Sequence, residues 1–221
     1  MAEVLVFDVN ETLLDLGALD PAFERTFGHA EVRRTWFATM LQLAMRTTIT
    51  GPYAKFGDCA MAALDVVARQ RDTRLTDDDR AAVREGMTRL PPHPEVTGAL
   101  TRLRDAGVRI ATLTNSTQQV ADAQLAFAGL DGLFEVSLSA DAVQRLKPAP
   151  EPYRMAAERL GVGISGMRLV AAHNWDVAGV MRAGAQAAFV ARPGQVLDRL
   201  VDPAPLVVRD LDDLAGRVLA G

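Results

Sequence analysis

The chain has 221 residues, 49% of them hydrophobic and 24% charged, enough to bury one sizeable core with room for a smaller inserted module. Its formal net charge is −4 and no Lys/Arg block stands out, which argues against nucleic acid or an anionic membrane as the main partner. The single cysteine, Cys59, can form no internal disulfide, no apolar run reaches spanning length, and Met1 leads at once into strand-like sequence rather than a basic, apolar leader. The sequence therefore predicts a soluble, cytoplasmic protein.

Val4 to Phe7 is a short continuous apolar run ending at Asp8, the pattern of a central strand buried on both faces. Residues 14–92 are helical in character. Trp36, Phe37, Met40, Leu41, Ala44 and Met45 recur at helical spacing, as do Cys59, Ala60, Ala63, Leu64, Val67 and Ala68. Thr76 followed by Asp77, Asp78 and Asp79 reads as an N-cap with an acidic first turn. The proline cluster from Leu90 to Pro94 suits a linker.

Beyond it helices and strands alternate. Helices are predicted over 94–106, 117–128, 151–160 and 177–183, the first three stopped by Gly107, Gly129 and Gly161. Strands are predicted over 108–114, 134–137, 168–172 and 187–191. This alternation implies an α/β fold with a doubly wound parallel sheet, to which the first strand belongs. The domain reading is a core of residues 1–13 and 93–221 interrupted by a helical module of residues 14–92.

In open α/β sheets, ligands bind outside the carboxyl ends of the strands. Here those ends carry Asp8-Val9-Asn10-Glu11-Thr12, Thr114-Asn115-Ser116, the loop residues Lys147-Pro148, and His173-Asn174-Trp175-Asp176. Two carboxylates, a lysine and a hydroxyl-rich helix start thus converge on one crevice.

The order DxNxT, TNS, KP, D resembles the signature motifs of the haloacid dehalogenase superfamily. The string from Phe7 to Asp15, with His173-Asn174-Trp175-Asp176, is similar to the type II (L-2-)haloacid dehalogenases. The likeness covers essentially the whole chain. It implies a Rossmann-like core with an inserted helical cap, a small-molecule haloacid substrate, release of halide, no cofactor, no metal, and a homodimer formed through the cap. Phosphatases of the superfamily carry an acid two residues after the nucleophile. Asn10 is an amide and cannot exchange a proton in that role. His173 and Asn174 stand where phosphatases tend to have acidic residues, which favours carbon–halogen over phosphoryl chemistry.

The resemblance also implies roles. Asp8 attacks C2 of the haloacid and forms an ester that water then hydrolyses. Lys147 keeps Asp8 ionised, Thr12 orients it, and Asp176, with or without His173, positions or deprotonates the water. Thr114 and the backbone amides near Val9, Asn10 and Asn115 hold the substrate carboxylate. Tyr153 lies close to the site, and Phe56 and Trp175 line an apolar pocket. The family's halide-binding arginine aligns with Phe37, leaving Arg33, Arg34 and Arg46 as candidate substitutes for a cation that matters electrostatically.

Other readings of the same residues stand beside these. Asp176, Asn115 and Ser116 also suit helix N-caps. His173 suits a buried histidine that only satisfies a hydrogen bond, and Phe37, Phe56 and Trp175 suit plain core. Three functions compete: an L-2-haloacid dehalogenase, a small-molecule phosphatase of the same superfamily, and a catalytically silent binding protein that keeps the pocket.

Overall fold

Four consecutive apolar residues with no charge between them suit a strand buried on both faces of a sheet. In the computed structural model, which describes residues 2–200 and 206–221, β1 (Val4–Phe7) is buried along its whole length. It lies between β2 (Ile110–Thr114) and β4 (Met167–Ala171) in a sheet of order β3-β2-β1-β4-β5-β6, all of whose pairings are parallel. The remaining strands are β3 (Ser137–Ser139), β5 (Gln186–Val190) and β6 (Leu206–Val208). Phe7 pairs with Thr112 on one side and Val170 on the other, so three strand ends finish side by side at the point where the strand order reverses.

Alternate residues of β1 feed opposite faces. Val4 and Val6 pack with α7 (Pro150–Arg159) and α8 (Asn174–Ala183). Leu5 and Phe7 pack with α5 (Val96–Asp105) and α9 (Leu211–Leu219), while α6 (Gln118–Phe127) follows β2. The second of these cores, on the Leu5 and Phe7 face, runs on without a break into the helical segment between β1 and α5. That segment comprises α1 (Asp20–Phe27), α2 (Val32–Thr50), α3 (Phe56–Gln70) and α4 (Asp77–Gly86). Trp36 is fully buried, and its Nε1 donates to the Ala60 carbonyl at 2.8 Å, joining α2 to α3. Thr76 and Asp79 cap α4 reciprocally, and Thr26 donates to Asp79 at 2.7 Å, tying α1 to α4.

The predicted architecture matches, with local differences. The third strand falls at 137–139 instead of 134–137, because Phe134 turns its ring onto Phe7, 6.2 Å away, from a loop. The helix predicted from 177 begins at Asn174, which puts Trp175 and Asp176 in its first turn. β6 and α9 lie beyond the last predicted strand.

Candidate active site

The chain leaves β1 at Asp8 and doubles back. Glu11 takes a left-handed conformation (φ 61°), and the backbone N–H groups of Leu13 and Leu14 both donate to the Val9 carbonyl. This tight return brings Thr12 beside Asp8. Its hydroxyl donates to Asp8 Oδ2 at 2.7 Å and accepts from the backbone N–H of Ala172 at 3.0 Å. One hydroxyl thereby fixes the Asp8 carboxylate and ties the β1 turn to the end of β4.

Lys147 arrives on the loop before α7. Asn115 holds that loop, accepting from the Lys147 backbone N–H at 2.8 Å and donating to its carbonyl at 3.3 Å. The Lys147 ammonium has three donors. They go to Asp8 Oδ1 at 2.8 Å, Asp176 Oδ2 at 2.6 Å and the Leu113 carbonyl at 2.9 Å. Tyr153 of α7 donates to the other oxygen, Oδ1, of Asp176 at 2.5 Å.

Burial alone pushes the Asp8 carboxyl up, but the Lys147 charge and the neighbouring His173 outweigh it and hold Asp8 well below the usual carboxylate range. Burial and the Asp8 charge raise Asp176, with Lys147 opposing them. Burial works against the charged form of Lys147, yet the two carboxylates raise it above its ordinary value. Asp8 is therefore an ionised carboxylate in an almost dry setting, a state that makes a nucleophile.

A narrow recess opens over Asp8. The sheet ends contribute Asp8, Asn10, Thr114, Asn115, Lys147 and His173, and the apolar walls are Phe37, Leu41, Phe56 and Trp175. Thr114 Oγ1 accepts from the Ser116 N–H at 3.2 Å, which leaves its own proton free to donate. Among the described residues, the backbone N–H groups of Val9, Asn10 and Asn115 meet no acceptor. The Asn10 amide is committed as an amide: Gln124 donates to its oxygen at 3.0 Å and its nitrogen donates to Ser116 at 3.4 Å.

Other expected residues sit elsewhere. The Val9 side chain belongs to the apolar core. Asp176 and Tyr153 lie behind Lys147 instead of on the recess, and both Asp176 oxygens are bonded. Phe37 does face the recess, its ring 5.8 Å from that of His173. Among the described residues no arginine lines the recess. Arg33 and Arg34 line a wider cleft outside it, and Arg46 is exposed beside Cys59.

Glu11 has no role in the sequence motifs. Its carboxylate meets His173 Nε2 at 2.9 Å, accepts from Gln195 at 3.2 Å and lies 3.7 Å from Arg33 of α2, which is also bonded to Asp20 at 2.6 Å. The only sequence signal was its place inside the Asp8–Thr12 string. His173 Nδ1 is buried, has no partner, and lies 3.6 Å from Asp8 Oδ2. Burial opposes the charge on His173, but the carboxylates at its two nitrogens outweigh it and raise the imidazole to about 9.

Metal binding is common to phosphatases of this fold, but the residues here do not fit it. The space between Asp8 and Asp176 is filled by the Lys147 ammonium, the flanking groups are an amide and an imidazole, and among the described residues no three His, Cys, Asp or Glu side chains are placed so that they could hold a metal ion.

A family model described as haloacid dehalogenase-like hydrolase matches residues 2–171. Haloacetate dehalogenase H-2 of Moraxella sp. (strain B) is 30% identical over 95% of each chain. (S)-2-haloacid dehalogenase 2 of Pseudomonas sp. (strain CBS-3) is 28% identical over 95% of this chain and 93% of its own. Among solved structures, the L-2-haloacid dehalogenase of Xanthobacter autotrophicus with chloropropionic acid covalently bound superposes with a TM-score of 0.92 at 26% identity, covering 100% of this chain and 99% of that one.

Proposed function

Because the chain belongs to the haloacid dehalogenase-like hydrolases, we propose that it hydrolyses short L-2-haloacids to 2-hydroxyacids through an ester on Asp8. The observation that carries this reading is an ionised, immobilised Asp8 at the floor of a recess in which the flanking position, Asn10, is an amide bonded through both its oxygen and its nitrogen. A leaving alkoxide would need a proton from that position, whereas a halide leaves as a stable anion and needs none.

In the first step an Asp8 oxygen forms a bond to C2, and the carbon–halogen bond breaks with its electron pair on the halide. Lys147 keeps Asp8 charged before attack, and Thr12 sets its orientation. The substrate carboxylate is held by the free proton of Thr114 and the N–H groups of Val9, Asn10 and Asn115. Phe37, Phe56 and Trp175 surround the carbon chain and exclude water. In the second step water attacks the Asp8 carbonyl carbon and frees the 2-hydroxyacid. The helical segment of residues 14–92 acts as a cap on the core of residues 1–13 and 93–221, supplying Phe37, Leu41 and Phe56 to the recess.

The test is halide release from L-2-chloropropionate and haloacetates, with oxygen-18 water as solvent and mass mapping of the Asp8 peptide. Halide release, label in Asp8, and loss of both in Asp8→Asn are expected. No halide from any short haloacid, or magnesium-dependent turnover of phosphate esters in its place, would sink the reading.

A further inference from the structure

We propose that Glu11 and His173 form a carboxylate–imidazole dyad that hydrolyses the Asp8 ester: Glu11 holds Nε2–H of His173, and Nδ1 takes the proton of the water that attacks the Asp8 carbonyl carbon. The dyad rests on the ester chemistry proposed above.

Geometry selects His173. An ester at Asp8 needs a base within one water of its carbonyl carbon. Asp176 does not face the recess, and its two oxygens are taken by Lys147 and Tyr153. Lys147 spends all three donors on acceptors and has no lone pair as an ammonium. Asn10, Thr114, Asn115 and the Trp175 indole are not bases at neutral pH. His173 Nδ1 alone among the lining groups is a titratable nitrogen, buried, unpartnered and 3.6 Å from Asp8 Oδ2. Glu11 determines which nitrogen that is. An acceptor 2.9 Å from Nε2 keeps the proton there in neutral imidazole, so the lone pair of Nδ1 points at Asp8. Stacking on Trp175, ring centroids 5.4 Å apart, and the Phe37 contact hold the ring plane.

The charges also give the dyad its timing. Asp8 and Glu11 are the anions on His173. Lys147 with Asp176 lies on the far side of Asp8, and Arg33, Arg34, Arg192, His93, Asp15 and Asp20 line the wider cleft that His173 also borders. While Asp8 is ionised, its charge and that of Glu11 keep the imidazole protonated, with a value of about 9. Alkylation removes the Asp8 charge, so the imidazolium loses one of the two carboxylates that hold its proton and releases that proton through the cleft. Neutral His173 then accepts a proton from the attacking water. The tetrahedral carbon collapses, the C2–O alkoxide takes that proton back from the imidazolium, and the Asp8 carboxylic acid gives its own proton to Nδ1. The cycle closes with Asp8 ionised and His173 charged, and the net acid is the one proton released with the halide. His173 is the catalytic residue; Glu11 is a positioning residue.

The experiment follows both steps with the full-length chain and L-2-chloropropionate, by rapid quench for chloride and intact mass for the ester. In His173→Gln, about one chloride per chain is released, and the ester then persists, decaying on the order of a hundredfold or more slower than in the wild type. The chloride burst itself reports a folded site. In Glu11→Gln, loss of the carboxylate lowers the imidazole pKa, so the limb of the ester-decay profile that requires neutral His173 moves to lower pH, and Glu11→Asp moves it part of the way back. Equal slowing of chloride release and ester decay in His173→Gln, no ester build-up, or an unmoved limb in Glu11→Gln would overturn the dyad. No chloride from the wild type would remove the reading on which it rests, and the dyad with it.

Discussion

Replacing Lys147 by Met keeps the length of the side chain and deletes its charge. Lys147 is fully buried, and so is Asp176, while Asp8 is only 5% exposed. The substitution therefore leaves two carboxylates facing each other in a dry interior with no cation between them. Breaking a buried ion pair from one side costs roughly 3–5 kcal/mol. For a chain of this size each kcal/mol moves the melting midpoint by about 2–4 °C, so a fall of roughly 6–20 °C is expected. The same loss acts on chemistry. Without Lys147 the Asp8 carboxyl binds a proton more readily, so halide release is depressed at neutral pH and recovers as the pH rises. Thermal melts and a pH profile of halide release measure both effects. A midpoint within a degree or two of wild type, together with a pH-flat rate, would refute the argument that this ammonium holds Asp8 ionised.

Three further outcomes follow from the same geometry. Tyr153→Phe removes the donor to Asp176 Oδ1, leaving a buried carboxylate oxygen unbonded, and should destabilise by about 1.5–3 kcal/mol in denaturant titration. Gly179→Ala would place a Cβ 2.5 Å from that of Pro148 and 2.8 Å from the Tyr153 hydroxyl. Relief of that clash must shift α8, which carries Asp176, or the loop that carries Lys147, so halide release should fall with a stability loss of about 1–3 kcal/mol, although residue 179 lies outside the recess. For His173 the folded value of about 9 lies above the ordinary 6.5. Its contribution is thus fully present below pH 6.5 and lost as pH rises through 9, on the order of 3 kcal/mol, and His173→Gln should flatten stability across that window.

Much of this was legible in the chain. The apolar run Val4–Phe7 ending in Asp8 carries the pattern of a central strand and forms one, and the helix stops at Gly107, Gly129 and Gly161 take left-handed backbone. What escaped was either short or distant. β6 has three residues, half exposed at the sheet edge, too few to show a period. Phe134 looked like strand because it is apolar, yet its partner is a ring on β1. Glu11 read as one more charge in a turn, since its bonds to His173 and Gln195 join residues 162 and 184 positions away. Position 37 was legible as a phenylalanine, but that the imidazole of His173 carries the positive charge over Asp8 depends on two carboxylates that only the fold brings together.

The ammonium between Asp8 and Asp176 also constrains the order in which the chain can fold. Lys147 is 139 residues from Asp8, and Thr12 is 160 residues from Ala172. If β1 docked before the loop carrying Lys147, the Asp8 carboxylate would leave water with no compensating charge, an arrangement several kcal/mol uphill. The last dehydration of the sheet's carboxyl end must therefore wait for contacts that close over long stretches of chain, the slow kind. Catalytic competence and the cooperative native state should then appear together in refolding, with no partly ordered intermediate that already dehalogenates.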